Sequence, residues 1–278
     1  MRMRIFTAGL VLTFLASSAF AIIGPPTAGL SKGQWSGGFN YTYSSQDLDD
    51  DNVNWVWLAD GVFDSAGTTK VKVKDFNRNL YYGNIGYGLC DVWQVYVQLG
   101  LVDLKEEVDP GSDMNYFEDG KISLNLDNDF AYGWGTKYTF AKKDKIDWGV
   151  ALQMNWLDTS WSETDTDGAE TWKETLDIDA MEIILAVGPT IDMSGWSLYG
   201  GPFFYYLDGD ADATHNTVTP APGDPVWSGK ASGDIKAASN FGGYIGAQCN
   251  IYKNWNMAIE FMGTGDGWGA GVGIDILF

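Results

Sequence analysis

The sequence predicts an all-β protein: one closed antiparallel transmembrane β-barrel of about ten strands, laid out as an up-and-down meander. Three observations carry this. In the last stretch, Trp268, Ala270, Val272, Ile274, Ile276 and Phe278 alternate with Gly267, Gly269, Gly271, Gly273, Asp275 and Leu277. A period of two places each set on its own face of a strand. The same alternation recurs along the chain, with tight turns and longer polar loops following one another in strict succession. Finally, every tight turn is followed at once, or two residues further on, by a tryptophan: Trp93, Trp148, Trp196 and Trp255.

The chain has 278 residues, which suits one barrel. It carries 17 Lys and Arg against 37 Asp and Glu, a net charge of −20. A protein this acidic repels phosphodiester backbones, which removes nucleic acid as a partner. Mean hydropathy is near neutral, so no apolar helical span is hidden in it. Strands that alternate cancel in any averaged window.

Residues 1–21 read as a secretory signal: Arg2 and Arg4, an apolar stretch from Ile5 to Phe20, and Ala19-Phe20-Ala21 as the small-x-small cleavage pattern. The mature chain then begins at Ile22, with a short irregular periplasmic tail over 22–33 and the barrel over 34–278. No cysteine stands at the cleavage point, which argues against a lipid anchor.

The strands follow in order. The first places Trp35, Phe39, Tyr41 and Tyr43 on one face and Ser36, Asn40, Thr42 and Ser44 on the other. An acidic segment over 46–74 follows, where Asn54-Trp55-Val56-Trp57 suggests a short extra hairpin. The second strand carries Tyr81, Ile85, Tyr87 and Leu89 outward; after Cys90-Asp91-Val92 the third carries Trp93, Val95, Val97, Leu99 and Leu101. The fourth (Phe130, Tyr132, Trp134, Tyr138, Phe140) and fifth (Ile146, Trp148, Val150, Leu152, Met154, Trp156) flank the turn Lys142 to Lys145. The sixth (Met181, Ile183, Leu185, Val187, Ile191) and seventh (Trp196, Leu198, Phe204, Tyr206) flank Asp192 to Gly195. The last three carry Phe241 to Ile251, Trp255 to Phe261, and Trp268 to Phe278. Acidic loops are expected over about 104–127, 158–176 and 208–235. Pro189 and Pro202 fall inside strands and lack the N–H a closed ladder needs, so a bulge or a one-residue register shift is expected there.

The run Gly86-Tyr-Gly-Leu-Cys-Asp-Val-Trp93 and its continuation to Gly100 resembles the strand–turn–strand unit of small OmpA-like and opacity-type outer-membrane barrels. The C-terminal strand ending in Phe278 resembles the terminal strand of Gram-negative outer-membrane barrels. That resemblance implies residence in the outer membrane, with Ile274, Ile276 and Phe278 as the signal read by the assembly machinery. It also implies lipid and lipopolysaccharide as surroundings. Indole prefers the headgroup level, so Trp35, Trp93, Trp148, Trp196 and Trp255 should form one aromatic girdle on the periplasmic rim.

Inward positions include Tyr82, Tyr96, Tyr199, Phe203, Tyr205 and Tyr244, with the charges Arg78, Lys137, Asp147, Glu182 and Glu260. Side chains can fill an eight-stranded barrel, and ten strands make one only slightly wider. Buried charges must pair. A structural salt-bridge plug is therefore favoured over a conducting filter.

Two residue clusters suggest chemistry. Glu163, Asp165, Asp167 and Glu174, with Gly168, fit the D-x-D-x-D-G-x5-E calcium pattern except for Glu in first place; a solvated acidic hairpin tip is the simpler reading. His215, beside Asp210 and Asp212, with Asp49 to Asp51 in another loop, bears comparison with the omptin outer-membrane proteases, but no local motif matches them residue by residue. The leading expectation is a non-enzymatic barrel with a structural or surface-interaction role and acidic extracellular loops that face divalent cations bridging lipopolysaccharide. A narrow cation-preferring porin-type channel is the alternative, and a hydrolase comes after it. The exported cysteine pair Cys90 and Cys249 suggests a disulfide, yet the strand order separates the two by four inter-strand steps, on the order of 15–20 Å. Free thiols are expected.

Overall fold

A computed structural model describes residues 22–47, 51–109 and 122–278. The described chain is all β. Its strands are β1 (Trp35–Gln46), β2 (Asp51–Ala59), β3 (Val62–Cys90), β4 (Trp93–Asp109), β5 (Ile122–Lys143), β6 (Ile146–Asp167), β7 (Glu170–Asp192), β8 (Trp196–Thr219), β9 (Trp227–Lys236), β10 (Phe241–Tyr252), β11 (Trp255–Thr264) and β12 (Gly267–Leu277).

Ten of them close a barrel in the order β1-β12-β11-β10-β8-β7-β6-β5-β4-β3, and β3 returns to β1. The first and last strands pair antiparallel from Ser36↔Leu277 to Gln46↔Gly267, as the ten-strand meander requires. The two additional strands, β2 and β9, pair with each other and with the upper parts of β3 and β8. A second, smaller ring therefore stands on the first, made of β2 to β9. The expected hairpin at Asn54–Trp57 is part of this ring: β2 folds back on β3 through Asp60 and Gly61, both at positive φ.

The expected acidic loops are largely strand. β6, β7 and β8 run 22, 23 and 24 residues, far beyond the roughly 9–11 that a tilted strand needs to cross a bilayer. Their acid is conspicuous, and alternation continues beneath it. Thr159, Leu176, Ile178, Ala211 and Ala213 are buried inside, while Asp158, Asp177, Asp179, Asp210 and Asp212 are exposed on the outer face.

The prolines do not shift the register. β7 and β8 pair from Thr171↔Thr219 to Ala186↔Phe203, skip three positions, and resume at Thr190↔Tyr199 in the same register. Pro189 and Pro202 lie in the skipped stretch, and each pairs on its other side, with Trp148 and Gly243. Interrupting the ladder removes the need for the missing N–H without inserting a residue.

Lower down, the outer face is apolar and exposed, including Phe39, Ile85, Val97, Leu99, Ile245 and Ile259. Such a surface is expected of a wall that meets lipid rather than water. The interior is packed with Leu80, Tyr82, Tyr199, Phe203, Tyr205 and Tyr244. Cys90 and Cys249 are free. They lie on β3 and β10, with β1, β12 and β11 between them. Thiol labelling of the denatured protein without reductant is expected to modify both; a single intramolecular bridge would contradict this strand order.

The segment over 22–33 is irregular, as its composition implies, but it is not a free tail. Ile22, Ile23, Thr27 and Leu30 are buried. The segment folds back as a strap into the end of the barrel that carries the short turns.

Candidate functional site

The lumen is closed at two levels, and the wall's inward polar residues do the closing. At mid-height, Arg78 of β3 donates to the Glu182 carboxylate of β7 at 3.0 Å, with both side chains fully buried. Tyr205 of β8 donates to the same oxygen at 2.9 Å, and the Asn155 amide of β6 to the other at 3.3 Å. Gln98 of β4 donates in turn to Asn155. Tyr96 donates to Gln153 at 2.7 Å. β3 and β7 are not neighbours, so this network bridges the lumen rather than following the wall. Each Glu182 oxygen accepts at least one hydrogen bond, which offsets part of the desolvation of a buried charge.

The strap closes the mouth at the short-turn end. The Ile23 and Gly24 amides each donate to Glu260 of β11 at 2.9 Å. Ala28 N donates to Thr139 of β5 at 2.9 Å, and Gly29 N to Gln94 of β4 at 2.6 Å. The Thr27 and Thr190 hydroxyls meet at 2.8 Å. The strap's backbone therefore has wall side chains as partners, in place of the strand ladder it lacks. Wall glycines give it room: a Cβ on Gly88 would lie 2.0 Å from Ser31 O, and one on Gly149 2.5 Å from Pro26 O. A cavity of about 310 Å³ remains around the strap, bordered by Asn84, Tyr96, Lys137 and Asp275.

The sequence-predicted charges are thus divided between the two levels. Arg78 and Glu182 form the mid-lumen pair, and Glu260 holds the strap. Lys137 borders the strap, with its Nζ 3.0 Å from where a Cβ on Gly24 would sit. Asp147 borders the strap's cavity from the rim: it is half-exposed, and its carboxylate lies 3.8 Å from Lys142 Nζ. It stands next to the turn, where the mouth opens to water.

The girdle residues Trp35, Trp93, Trp148, Trp196 and Trp255 are exposed on the outer face, each at the start of its strand beside a short turn or the strap. At the closing seam, Phe278 N donates to Trp35 O and Trp35 N to Phe278 O, at 3.0 and 3.2 Å. Ile274 and Ile276 pair with Phe39 and Gly37 of β1, so the proposed assembly signal is also the strand that completes the barrel.

In the upper ring, the acids separate by face. His215 is buried inside and contacts Glu174 at 3.1 Å through Nδ1, with the Trp57 ring edge-on at 5.6 Å. Asp210 and Asp212 lie on the same strand but at opposite parity, on the outer face, so they do not join His215 in a site. Asp49 and Asp50 lie outside the described residues. Glu174, expected as a calcium ligand, is instead the histidine's partner. Asp165 is paired across the hairpin with Trp172, and Glu163 with Glu174. The Asp167 side chain is outside the described residues. No three acidic, histidine or cysteine side chains converge as a metal cage among the described residues.

Sequence reasoning missed the outward belt. Directly opposite positions on four adjacent strands carry Asp158 (β6), Asp179 (β7), Asp210 (β8) and Asp234 (β9). Asp177 and Asp212 form a second opposed pair. Like charges directly opposite one another are destabilising. One lysine relieves an end of the row: Lys236 Nζ lies 2.8 Å from Asp234. Burial, and then the charges of Asp158, Asp177, Asp210 and Asp212, raise the Asp179 carboxyl above its ordinary 3.8. The belt lies ten residues beyond the girdle on β6, from Trp148 to Asp158, and fourteen on β8, from Trp196 to Asp210. A tilted strand crosses a bilayer in about 9–11 residues, so the row lies a full span or more from the tryptophans.

The family described as outer membrane protein beta-barrel domain matches residues 112–277. No curated protein matches the chain. Among solved structures it is similar to the outer membrane protein OprG from Pseudomonas aeruginosa, at 13% identity and TM-score 0.44, covering 90% of this chain and 98% of that one. It is also similar to the translocator domain of the autotransporter NalP from Neisseria meningitidis, at 10% identity and TM-score 0.42, covering 89% of each chain. A third is the outer membrane protease OmpT from Escherichia coli, at 10% identity and TM-score 0.40, covering 94% and 99%. The match over more than half its length, on a closed ten-strand antiparallel barrel, places this chain in the outer membrane protein beta-barrel domain family.

Proposed function

We propose that this is a closed, non-enzymatic barrel that works through its outer surface, with the acidic belt holding divalent cations that bridge it to lipopolysaccharide phosphates. The observation that carries this reading is the row Asp158, Asp179, Asp210, Asp234 at a height where anionic headgroups lie. A carboxylate row facing a phosphate layer repels it unless hard cations stand between them, and oxygen-only ligands suit calcium and magnesium. The protein reaches this place by export, with the leader removed after Ala21, and by recognition of its last strand.

Lipopolysaccharide binding tests the reading. The purified protein is expected to retain lipopolysaccharide in millimolar calcium and release it in chelator, and Asp158→Asn/Asp179→Asn/Asp210→Asn is expected to bind equally weakly in both. Retention that ignores calcium and these substitutions would overturn it.

The closed lumen supports the same reading over a channel. In planar bilayers the full-length mature protein is expected to give no resolved conductance steps. Regular cation-selective openings would favour the porin-type alternative.

A further inference from the structure

We propose that the cavity between the strap and the wall binds a small zwitterion of the amino-acid or short-peptide class, whose carboxylate meets Lys137 and whose ammonium meets Asp275. The site is separate from the outer belt and does not depend on what the belt binds. Three observations carry it.

The first is charge. Lys137 of β5 and Asp275 of β12 both border the cavity. Around the wall they are four inter-strand steps apart, through β4, β3 and β1. Among the described residues no carboxylate lies within 4.0 Å of Lys137 Nζ. The other acids nearby are engaged: Glu260 accepts from the Ile23 and Gly24 amides, and Asp147 faces Lys142. Opposite charges held apart across an enclosed space are costly to leave without partners. A ligand carrying both charges in the reverse order pairs the two at once.

The second is the lining. Asn40, Asn84, Gln248 and Asn256 also border the cavity, and each amide offers donors as well as an acceptor. Such groups suit a peptide bond and the flanks of charged ends. Two glycines make room for the polar groups. In the β1–β12 register Asp275 lies opposite Gly38, and Asn40 opposite Gly273. A Cβ on Gly38 would collide with the Asp275 carboxylate, and one on Gly273 with the Asn40 amide oxygen. Each side chain lies over its glycine, against the wall, and leaves the space beside the strap clear.

The third is access and size. Gln94, Asp147, Ser197 and Leu277 border the cavity, each at or one residue from a strand end on the short-turn side, so the cavity reaches that mouth. Inward it meets Tyr96, whose hydroxyl is held by Gln153 at 2.7 Å and whose ring centre lies 5.8 Å from Lys137 Nζ. Its volume of about 310 Å³ stands at the lower end of ligand pockets. That admits one or two amino-acid residues and excludes a folded partner.

Calorimetric titration of the folded, detergent-purified protein with alanine and with dialanine tests this. At least one is expected to saturate at roughly 1–10 mM, the range open to a ligand of this size. Capping the better ligand's charges one at a time gives the control on wild-type protein. The N-acetyl form loses the partner of Asp275, and the C-terminal amide loses the partner of Lys137. Each is expected to bind about tenfold or more weakly, the loss of one charge-assisted contact. Lys137→Met is expected to bind the ligand and its amide equally, and Asp275→Asn the ligand and its N-acetyl form equally. Should a variant fail to fold, the capped ligands on wild type still decide. Failure of both probes to saturate at tens of millimolar overturns the inference. So does wild-type binding that ignores the caps, or discrimination between capped and free ligand that survives in the folded variants.

Discussion

Arg78→Ala is expected to lower folding stability by about 3–5 kcal/mol, the loss typical when one member of a buried ion pair is removed. The size follows from what remains. Glu182 would keep the Tyr205 and Asn155 hydrogen bonds but lose its cation, in an interior where its side chain has no exposed surface. Truncating arginine also opens a void among packed side chains, which adds to the loss. Urea unfolding in detergent, followed by the heat-modified gel shift common to barrels, measures this. Arg78→Met/Glu182→Leu is the informative control. Replacing both charges by apolar groups leaves no bare carboxylate, so the double variant should recover much of what the single one loses. Tyr205 and Asn155 would then lose the Glu182 acceptor, so full recovery is not expected. If the two variants are equally unstable, the pair's charge is not what matters and the loss comes from packing alone.

The second large effect concerns the outer belt and reverses the usual sign. A carboxyl whose folded-state value is raised binds its proton more readily folded than unfolded. Ionised Asp179 therefore works against folding above its raised value, and that penalty is relieved as pH falls through it. In chelator, Asp179→Asn is expected to melt above wild type at neutral pH, and the gap should close on acidification toward the carboxylate range. Calcium should close it from the other side. A cation that binds only the folded belt stabilises by mass action, about 2.7 kcal/mol at a hundred times its dissociation constant. Wild type should therefore gain stability in millimolar calcium, and Asp158→Asn/Asp179→Asn/Asp210→Asn should gain little. Thermal unfolding across pH, with and without calcium, reads both arms. A wild-type melting point indifferent to calcium would remove the cation from the belt, whatever else the barrel does.

The barrel was legible in the residues because it rests on local patterns. Alternation with period two, tryptophan after each tight turn and the closing Gly267–Phe278 strand are all visible in a window of about ten residues. They locate the ten membrane strands, the faces of Arg78, Glu182 and Glu260, and the pairing of first strand with last. Face parity even determines that His215 and Asp210 cannot share a site once both lie on one strand. That consequence is hidden in the sequence because so acidic a stretch reads as loop. Charge on one face says nothing about whether the other face is packed, and Leu176, Ile178, Ala211 and Ala213 show that it is.

Tertiary structure alone decided three things. Only the strand register puts Asp158, Asp179, Asp210 and Asp234 in one row; in sequence they are scattered acids on separate strands. Only closure of the barrel brings Arg78 across to Glu182, because partners separated by 104 positions leave no local trace. And only a finished mouth gives residues 22–31 somewhere to go. Their backbone partners, Glu260, Thr139 and Gln94, come from three different strands, and the wall glycines that admit them look from sequence like inward-facing gaps opposite large rings. Alternation specifies which way each side chain points; what it meets there is determined by strands distant in the chain, whose positions are defined only when the ring closes.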